Sequence, residues 1–375
     1  MRSVDVLIVG GGPAGSTAAR ALTRQGADIV VWDRQPFPRD KVCAGWITPQ
    51  VAAALDLDLG AYAAGGRTCQ PISGFQVSRQ GDREARVRYP LPVSYGIRRC
   101  EFDEYLLARS GARAHLGEPV RTLAWRDGSW TLNDAVRAPL LIGAGGHFCP
   151  VAQRLGARLG QGEPIVAAQE TEFALTPAEA AACRVEPDLP ELYFSRDLRG
   201  YGWVFRKGAY LNIGLGRQGN AQLGDHVAAF VAWLGARGRI PTALGGRMRG
   251  HPYLLYGQAP RPLFGAGALL IGDAAGLAYP KSGEGIRPAV ESALLAAATI
   301  AAAGGRGDAA ALAPYATRIE ARFGPRRARR GALDLLPAGL LAGLAGRLFG
   351  SPWFARRVLL DDWFFHARQP ALSAP

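Results

Sequence analysis

Residues 4–15 read Val-Asp-Val-Leu-Ile-Val-Gly-Gly-Gly-Pro-Ala-Gly, a short apolar run that ends in a glycine-rich turn. The β-branched run 4–9 predicts a buried strand, because such residues fit a pleated, packed surface. The alanine-rich stretch 13–24 predicts a helix, and the apolar run 28–33 predicts a second strand. The chain therefore opens with a strand, a helix and a strand, which indicates the α/β class.

Three glycines, Gly10, Gly12 and Gly15, have the spacing GxGxxG between the first strand and the helix. In dinucleotide-binding proteins the first permits a tight turn, the second lets the backbone approach a pyrophosphate, and the third lets the helix pack on the sheet. Pro13 fits the first helical turn, where its missing N–H costs nothing, and Ala14 follows it. The free N–H groups and positive dipole end of this helix predict an anion site for a pyrophosphate.

An acidic residue follows at the end of the second strand. Asp33 lies 23 residues after Gly10, where a carboxylate can accept hydrogen bonds from the ribose hydroxyls of a dinucleotide. We assign Asp33 and the nearby Arg34 and Lys41 to the cofactor site. A glycine-rich turn alone is a weak signal, but the strand, helix and acid in this order predict dinucleotide binding.

A second glycine-rich region indicates which dinucleotide is bound. Residues 268–276 read Ala-Leu-Leu-Ile-Gly-Asp-Ala-Ala-Gly, and residues 280–286 read Pro-Lys-Ser-Gly-Glu-Gly-Ile. The region resembles the GD motif of the p-hydroxybenzoate hydroxylase-like flavoproteins. This resemblance implies that the aspartate binds the ribityl chain of FAD, and that the N-terminus of the following helix stabilises the reduced flavin anion. The cofactor residues so implied are Gly272, Asp273, Gly283, Gly285 and Ile286.

Two segments between these regions also resemble that superfamily. Residues 99–103, Arg-Cys-Glu-Phe-Asp, are similar to its RxxFD segment, which implies a helix start with Arg99 near the flavin; a surface salt bridge is the alternative. Residues 143–150, Gly-Ala-Gly-Gly-His-Phe-Cys-Pro, are similar to its GADG segment, but Gly145 replaces the acid. In the hydroxylases that acid helps to bind FAD and the nicotinamide donor, so the donor is left open between NAD(P)H and another external reductant. His147 and Cys149 receive no catalytic role.

Two further segments resemble the geranylgeranyl reductases in particular. Residues 37–46 read FPRDKVCAGW, similar to FPRDKPCGG, and residues 201–207 read YGWVFRK, similar to YGWVFPK with arginine in place of proline. The resemblance implies that both segments face the flavin from the substrate side. The candidate catalytic residues are Cys43, Tyr201, Trp203 and Lys281. For Tyr201, Trp203 and Phe205, a strand packed into the core is the alternative, and Cys43 is either a proton donor or a small buried residue.

The resemblance extends to about residue 305 and implies an α/β, p-hydroxybenzoate hydroxylase-like fold. We predict a Rossmann-like FAD-binding domain from residues 1–66, 96–165 and 259–310. The stretches 67–95 and 166–258 alternate apolar and polar residues, which predicts an inserted antiparallel-sheet substrate domain. Residues 311–375 are predicted to form a C-terminal helical region.

The resemblance implies an FAD-dependent oxidoreductase that acts on a small apolar or aromatic substrate, with a reductase reaction as the leading interpretation. The same fold also supports monooxygenases, whose substrate would be a lipophilic molecule or a tryptophan of a partner protein during quinone cofactor maturation. A non-catalytic lipid escort is the alternative of another class, which the intact FAD motifs disfavour. The chain has no WxWxIP-like segment, so halogenation is disfavoured as well.

Composition narrows the class of protein further. The net charge is +13, but the 44 basic residues are dispersed and no nucleic-acid module is recognisable, so we expect no nucleic-acid partner. Only Lys41, Lys207 and Lys281 are lysines, and each lies within a motif, which suggests positions that need a compact ammonium. The five cysteines form no CxxC pair, which predicts no metal site and favours a reducing cytoplasm. Asp5 interrupts the apolar opening run, so a buried strand is expected there, not a signal peptide.

The C-terminal region permits two interpretations. Arg326, Arg327, Arg329 and Arg330 precede the apolar stretch 335–348, and Trp353 and Phe354 follow it. Such a segment could lie on an anionic membrane at the inner face, or form a helical lobe that closes the substrate cavity. The uncharged part, residues 335–346, is shorter than the roughly 20 residues that cross a bilayer.

Overall fold

The computed structural model describes residues 1–160, 162–241, 245–259, 261–326 and 346–373. The strands, in chain order, are β1 (Arg2–Ser3), β2 (Val6–Val9), β3 (Ile29–Asp33), β4 (Trp46–Ile47), β5 (Cys69–Ile72), β6 (Gly74–Arg79), β7 (Ala85–Arg88), β8 (Ser94–Ile97), β9 (Arg113–Leu116), β10 (Leu123–Arg126), β11 (Ser129–Leu132), β12 (Val136–Ala138), β13 (Leu140–Gly143), β14 (Ile165–Ala174), β15 (Glu191–Phe194), β16 (Gly200–Lys207), β17 (Tyr210–Gln218), β18 (Arg249–Leu254), β19 (Phe264–Gly265) and β20 (Ala268–Leu270). The α-helices are α1 (Pro13–Thr23), α2 (Pro49–Ala54), α3 (Leu59–Ala64), α4 (Arg99–Ala108), α5 (Pro150–Arg154), α6 (Pro177–Ala182), α7 (Leu223–Ala236), α8 (Ile286–Ala302), α9 (Ala309–Leu312), α10 (Pro314–Phe323) and α11 (Pro352–Phe354). A 3₁₀ turn covers Gly272–Ala274, and a π-helix covers Ala355–Phe364.

A six-stranded sheet carries the glycine-rich turns. Its order is β19-β20-β13-β2-β3-β9, and all pairs are parallel except β19 with β20. β2 and β3 are buried along their whole length, as expected for central parallel strands covered on both faces. Helix α1 connects them and packs against α8. The predicted opening of strand, helix and strand is confirmed.

A seven-stranded sheet forms the opposite part of the molecule. Its order is β18-β14-β17-β16-β15-β6-β7. The alternating pattern predicts antiparallel strands, and this holds for every pair except β15 with β6, which is parallel. The two parallel strands are more than 100 residues apart in the chain, so no hairpin turn determines their direction.

Two smaller sheets complete the strand layers. β4, β8 and β5 form a three-stranded antiparallel sheet, in which the central strand Ser94–Ile97 pairs with Trp46–Ile47 on one side and with Cys69–Ile72 on the other. β1, β12, β11 and β10 form a four-stranded sheet. This pairing divides the stretch 67–95, which the sequence assigned to one substrate lobe, between two sheets.

The described part of the C-terminal region is largely helical up to Phe364, and residues 365–373 contain no helix or strand. Leu359, Leu360 and Phe364 of the π-helix are buried against the seven-stranded sheet, and the Phe349 ring stacks on Phe194 at 4.6 Å between centroids. The Arg326 side chain is directed inward and donates hydrogen bonds to the carbonyls of Arg261 and Ala275, so it does not belong to an exposed basic cluster.

Arg327, Arg329, Arg330 and the apolar residues 335–345 lie outside the described residues. Among the helices that the structure describes, none combines the length and the apolar character that a bilayer crossing requires.

Candidate functional site

The first glycine-rich turn leaves no space for side chains. Gly10 has φ +111°, and a Cβ on it would lie 2.4 Å from the Ala144 carbonyl oxygen. A Cβ on Gly15 would lie 1.8 Å from the carbonyl oxygen of Gly10, so α1 approaches the turn as closely as the backbone permits. Helix α1 begins with Gly12 as its N-cap and Pro13 in its first turn, and no side chain caps it. Its first N–H groups therefore remain available to an anion.

The carboxylate of Asp33 is held rigidly at the end of β3. Its Oδ2 accepts a hydrogen bond from the Gly11 N–H at 2.7 Å, and its Oδ1 accepts one from the Gln35 N–H at 2.9 Å. A carboxylate oxygen can accept a further hydrogen bond, so both oxygens remain acceptors for hydroxyl groups. The neighbouring Arg34 is exposed, and both residues line the same cavity.

The second glycine-rich region meets the first one across this cavity. Gly272 has φ +56° and begins the 3₁₀ turn that carries Asp273. A Cβ on Gly285 would lie 3.2 Å from Asp273 Oδ1, so the turn approaches the N-cap of α8 closely. Burial would raise the pKa of Asp273, but His251, Lys41 and Arg99 outweigh it and hold this pKa below its usual value. Asp273 is therefore an anionic hydrogen-bond acceptor at neutral pH.

Glu284 occupies the start of α8, a role that the sequence did not reveal. Its carboxylate accepts a hydrogen bond from the Arg287 N–H at 2.8 Å, and it lines the cavity together with Gly283, Gly285 and Ile286. Burial raises the pKa of Glu284 to about 7. The charge at this helix N-terminus therefore changes near neutral pH.

Cationic side chains lie beside both glycine-rich regions. Arg99, at the start of α4, makes two hydrogen bonds of 2.8 Å to the fully buried Asp103, so the predicted helix start is correct and the arginine is buried. Arg39, which no sequence motif identified, lies 3.2 Å from the same carboxylate and beside Gly12. Lys41 lines the cavity, and burial lowers its pKa to about 8 although Asp273 opposes the shift.

These elements enclose one cavity of about 780 Å³. The glycine turn of residues 10–15 and Asp33 line one end. Aromatic side chains line the other, and these are Trp46, Tyr201, Trp203 and Tyr253. This volume lies within the range of roughly 300 to 1,000 Å³ that is usual for cofactor and ligand sites.

Tyr201, Trp203 and Tyr253 of the aromatic wall come from the seven-stranded sheet, whereas Trp46 belongs to β4 of the three-stranded sheet. The Tyr201 hydroxyl donates to the Ser282 carbonyl oxygen at 2.6 Å, and burial raises the pKa of Tyr201 well above its usual value. The Trp203 indole packs against the bare backbone of Gly214, where a Cβ would lie 2.3 Å from the ring. Tyr201 and Trp203 line the cavity, whereas Phe205 lies in the core with 1% of its surface exposed.

Cys43 lies on the cavity wall within a segment that buried polar groups hold in place. Its carbonyl oxygen accepts a hydrogen bond from Asn212 Nδ2 at 3.2 Å. Asn212 Oδ1 accepts one from the Trp203 indole N–H at 2.8 Å, so one buried amide contacts two of the four candidate catalytic residues, Cys43 and Trp203. The Lys207 ammonium, with 1% of its side chain exposed, donates to the Ala44 carbonyl oxygen at 3.0 Å and forms an ion pair with Glu172.

The structure does not bring Lys281 to this site. Lys281 is exposed and is not among the residues that line the cavity; its ammonium lies 4.7 Å from the centroid of the Trp363 ring. The neighbouring Ser282 is buried and binds Tyr201 through its carbonyl group, so successive residues of this turn point to opposite sides. A catalytic role for Lys281 is therefore not supported by its position.

His147 and Cys149 are both buried. His147 contacts the buried Arg261 side chain, whose Nη1 donates to the His147 carbonyl oxygen at 2.9 Å. Among the described residues no cluster of His, Cys, Asp and Glu could hold a metal ion.

The residues present fit FAD. The glycine turn and the uncapped start of α1 suit an anionic pyrophosphate, and Asp33 and Asp273 suit hydroxyl groups. His251 Nε2 is buried in the cavity wall, and within the described part of the chain it has no hydrogen-bond partner, with Asp273 Oδ2 3.8 Å away. A buried polar atom without a partner is costly unless a ligand satisfies it.

Comparison with known proteins gives the same class. The family model described as FAD dependent oxidoreductase matches residues 5–80. A menaquinone reductase of Mycobacterium tuberculosis is 32% identical over 322 residues, which cover 79% of this chain and 76% of the relative. A geranylgeranyl diphosphate reductase of Rhodobacter capsulatus is 28% identical over 305 residues, covering 75% and 71%.

Solved structures support the predicted fold. The structure of a geranylgeranyl bacteriochlorophyll reductase-like protein from Thermoplasma acidophilum has a TM-score of 0.78 at 21% identity and covers 97% of both chains. A halogenase, PltM, crystallised with FAD, has a TM-score of 0.68 at 18% identity and covers 86% of this chain and 74% of its own. These likenesses confirm the predicted α/β flavoprotein fold.

Proposed function

Since the chain belongs to the family of FAD-dependent oxidoreductases that includes the menaquinone and geranylgeranyl reductases, we propose that it reduces a carbon–carbon double bond of a lipophilic, isoprenoid-like substrate. The compounds in the relatives' names, menaquinone and geranylgeranyl compounds, carry isoprenoid chains. The observation that carries the proposal is that the glycine turn and Asp33, which suit a dinucleotide, line the same cavity as the aromatic wall. An apolar chain on that wall would lie next to the redox cofactor.

The proposed reaction adds two hydrogens to the double bond. Bound FAD, reduced by an external donor, would supply a hydride to one carbon and be oxidised in return. A proton must reach the other carbon. Cys43 and Tyr201 line the cavity wall as candidate proton donors, and burial, which raises the pKa of Tyr201, keeps its hydroxyl neutral. Tyr201 and Trp203 would also bind the apolar chain and exclude water.

NAD(P)H or another external donor would reduce the FAD. Because Gly145 stands where the hydroxylases have an acid that helps to bind a nicotinamide donor, this chain lacks that interaction. We expect dithionite to reduce the purified protein rapidly and NADH or NADPH to reduce it slowly. Stopped-flow absorbance of the flavin under anaerobic conditions measures both rates. Rapid reduction by either pyridine nucleotide would identify the donor and contradict this expectation.

The test of the reaction uses protein that is first reduced with dithionite. Mixed with a geranylgeranyl substrate without oxygen, it should reoxidise and give a product heavier by two hydrogens. C43A should slow reoxidation by about 100-fold or more, the usual contribution of a general acid. C183A is the matched control, because Cys183 packs on the other face of the sheet, outside the cavity.

Two results would overturn the proposal. One is flavin that stays reduced in the presence of isoprenoid acceptors. The other is an oxygen-dependent, hydroxylated product from a lipophilic or aromatic compound, or from a tryptophan of a partner protein, which would indicate the monooxygenase alternative. A purified protein without flavin absorbance that nevertheless binds lipid would indicate an escort.

A further inference from the structure

Two large apolar side chains, Leu91 and Trp353, are exposed on the side of the molecule where the C-terminal region packs. Leu91 has 73% of its surface exposed and Trp353 has 68%. Trp353 lies in α11, and Leu91 lies in the loop that connects β7 to β8. Apart from Met1, they are the most exposed large apolar side chains among the residues that the structure describes.

Contacts between the two segments place the loop of Leu91 beside the helical segment that contains Trp353. The Arg356 guanidinium lies 4.8 Å from the centroid of the Tyr89 ring, and the Tyr89 hydroxyl donates to Asp361 Oδ1 at 2.7 Å. Tyr89 begins the loop that carries Leu91, and Arg356 lies one helical turn after Trp353. We call the surface formed by Leu91, Trp353, Arg356 and Arg357 the Trp353 face.

Basic side chains surround the Trp353 face. The exposed cations on and beside it are Arg83, Arg347, Arg356 and Arg357. Arg83 lies beside Gly350, where a Cβ would be 3.3 Å from the arginine Cβ. The acids on the same segment are the exposed Asp362 and the half-buried Asp361, which accepts from Tyr89 and lies 3.8 Å from Arg357. Asp82 and Glu84, which flank Arg83, pair with Arg79 and Arg239. Positive charge therefore predominates around the exposed tryptophan.

The inner side of the same segment reaches the cavity. The Phe364 ring lies 5.4 Å from Tyr201 and 6.0 Å from Trp46 between centroids, and both partners line the cavity. Phe364 itself is buried. One helical segment thus has the Trp353 face on its outer side and the aromatic end of the cavity on its inner side.

We infer that the Trp353 face docks the protein on an anionic lipid bilayer. Arginines near such a bilayer are attracted to its negative headgroups, and tryptophan favours the headgroup level. An acidic protein would match the cations, but it would leave Leu91 and Trp353 against a charged surface. That the bilayer delivers the substrate to the adjoining cavity rests on the proposed function; the docking itself does not.

Vesicle cosedimentation of the FAD-loaded protein tests the docking. At low salt the protein should bind phosphatidylcholine vesicles that contain phosphatidylglycerol, and should not bind pure phosphatidylcholine. R356Q/R357Q should lower the partition coefficient roughly 30-fold, about fivefold for each arginine. W353A should lower it as well. The matched control is R126Q/R154Q, which neutralises two exposed arginines on β10 and α5.

Three outcomes would overturn the inference. They are equal loss of binding in the control variant, unchanged binding in R356Q/R357Q, and retention on immobilised polyglutamate without any vesicle binding. Turnover of a short, water-soluble isoprenoid compound gives an independent measurement, since R356Q/R357Q should leave it unchanged. Loss of vesicle binding with intact turnover locates the defect in docking, whereas absent turnover with intact vesicle binding contradicts the proposed reaction alone.

Discussion

Asn212 has 1% of its surface exposed, and its amide accepts from the Trp203 indole and donates to the Cys43 carbonyl group and to Glu170. N212A would leave the buried indole N–H without an acceptor, which costs about 1 to 3 kcal/mol. We expect that loss in the free energy of unfolding, measured by urea denaturation, together with a lower turnover rate. N220A, at an exposed site, is the control. Unchanged stability and turnover in N212A would show that the amide does not position these residues.

Lys41 gives the site a pH dependence. Its pKa of about 8 means that the charged fraction falls from about nine-tenths at pH 7 to about one-tenth at pH 9. If the ammonium attracts the anionic cofactor, the dissociation constant of FAD should rise about tenfold over this range. K41R should remove the dependence, because arginine stays protonated. The measurement is titration of the apoprotein followed by flavin fluorescence.

Other charged groups surround Lys41, and their contributions to the pH dependence must be distinguished from that of Lys41. They are Arg39, Cys43, Arg99, His251, Asp273 and Glu284. Glu284 has a pKa of about 7, so the comparison is best made above pH 7.5, where most of its change is complete. An equal pH dependence in K41R would assign the effect to another of these groups.

At the residue level, the sequence motifs predicted the residues at one end of the site. The glycine spacing and the acid after β3 identify the end of the cavity that suits a dinucleotide. The glycines can be predicted because a turn without room for a Cβ requires glycine in any sequence. Asn212, Glu170 and His251 could not be found in this way. They come from β17, β14 and β18, and nothing in their local sequence distinguishes a polar residue at the site from one that faces solvent.

At the level of elements, α8 connects the cavity to the C-terminal segment. Arg287 is 2% exposed; its guanidinium donates to Glu291 at 2.8 Å, to the Phe365 carbonyl oxygen at 2.9 Å and to the Gln369 carbonyl oxygen at 2.7 Å. R287M would remove all three interactions, and among the described residues Glu291 would keep Arg322 as its charged partner. The two carbonyl groups that lose their donor cost about 1 to 3 kcal/mol each.

We therefore expect R287M to lower the free energy of unfolding by roughly 3 kcal/mol and to make residues 365–373 sensitive to protease. Denaturation and limited proteolysis with mass spectrometry measure the two effects. R306M, at an exposed arginine, should change neither. Retained protease resistance in R287M would mean that other contacts hold this segment.

Elements could be predicted where periodicity and turn residues agree. The unit from β2 to β3 combines an apolar run, a glycine turn and an alanine-rich helix, and its bounds were predicted to within two residues. The parallel pairing of β15 with β6 was not predictable, because alternation reveals which face is buried but not the direction of a distant partner.

For the whole molecule, the resemblance predicted the fold but not the way in which its parts meet. The seven-stranded sheet and the glycine-rich region share one cavity, and Phe364 extends the wall toward the C-terminal segment. A run of arginines in the sequence does not reveal which of them are exposed. Arg326, next to three other arginines in the chain, is directed inward and donates to two carbonyl groups. The domain boundaries remain predictions.

The bare glycine backbone beneath Trp203 has a consequence for stereochemistry. With Gly214 below it, the indole lies close against the sheet and forms a floor from which no side chain projects at that point. A prochiral alkene resting on this floor would turn one of its two faces toward it and the other toward the interior of the cavity. Hydrogen delivered from the interior would then always reach the same face, so the enzyme would yield a single enantiomer from a substrate that has no handedness of its own.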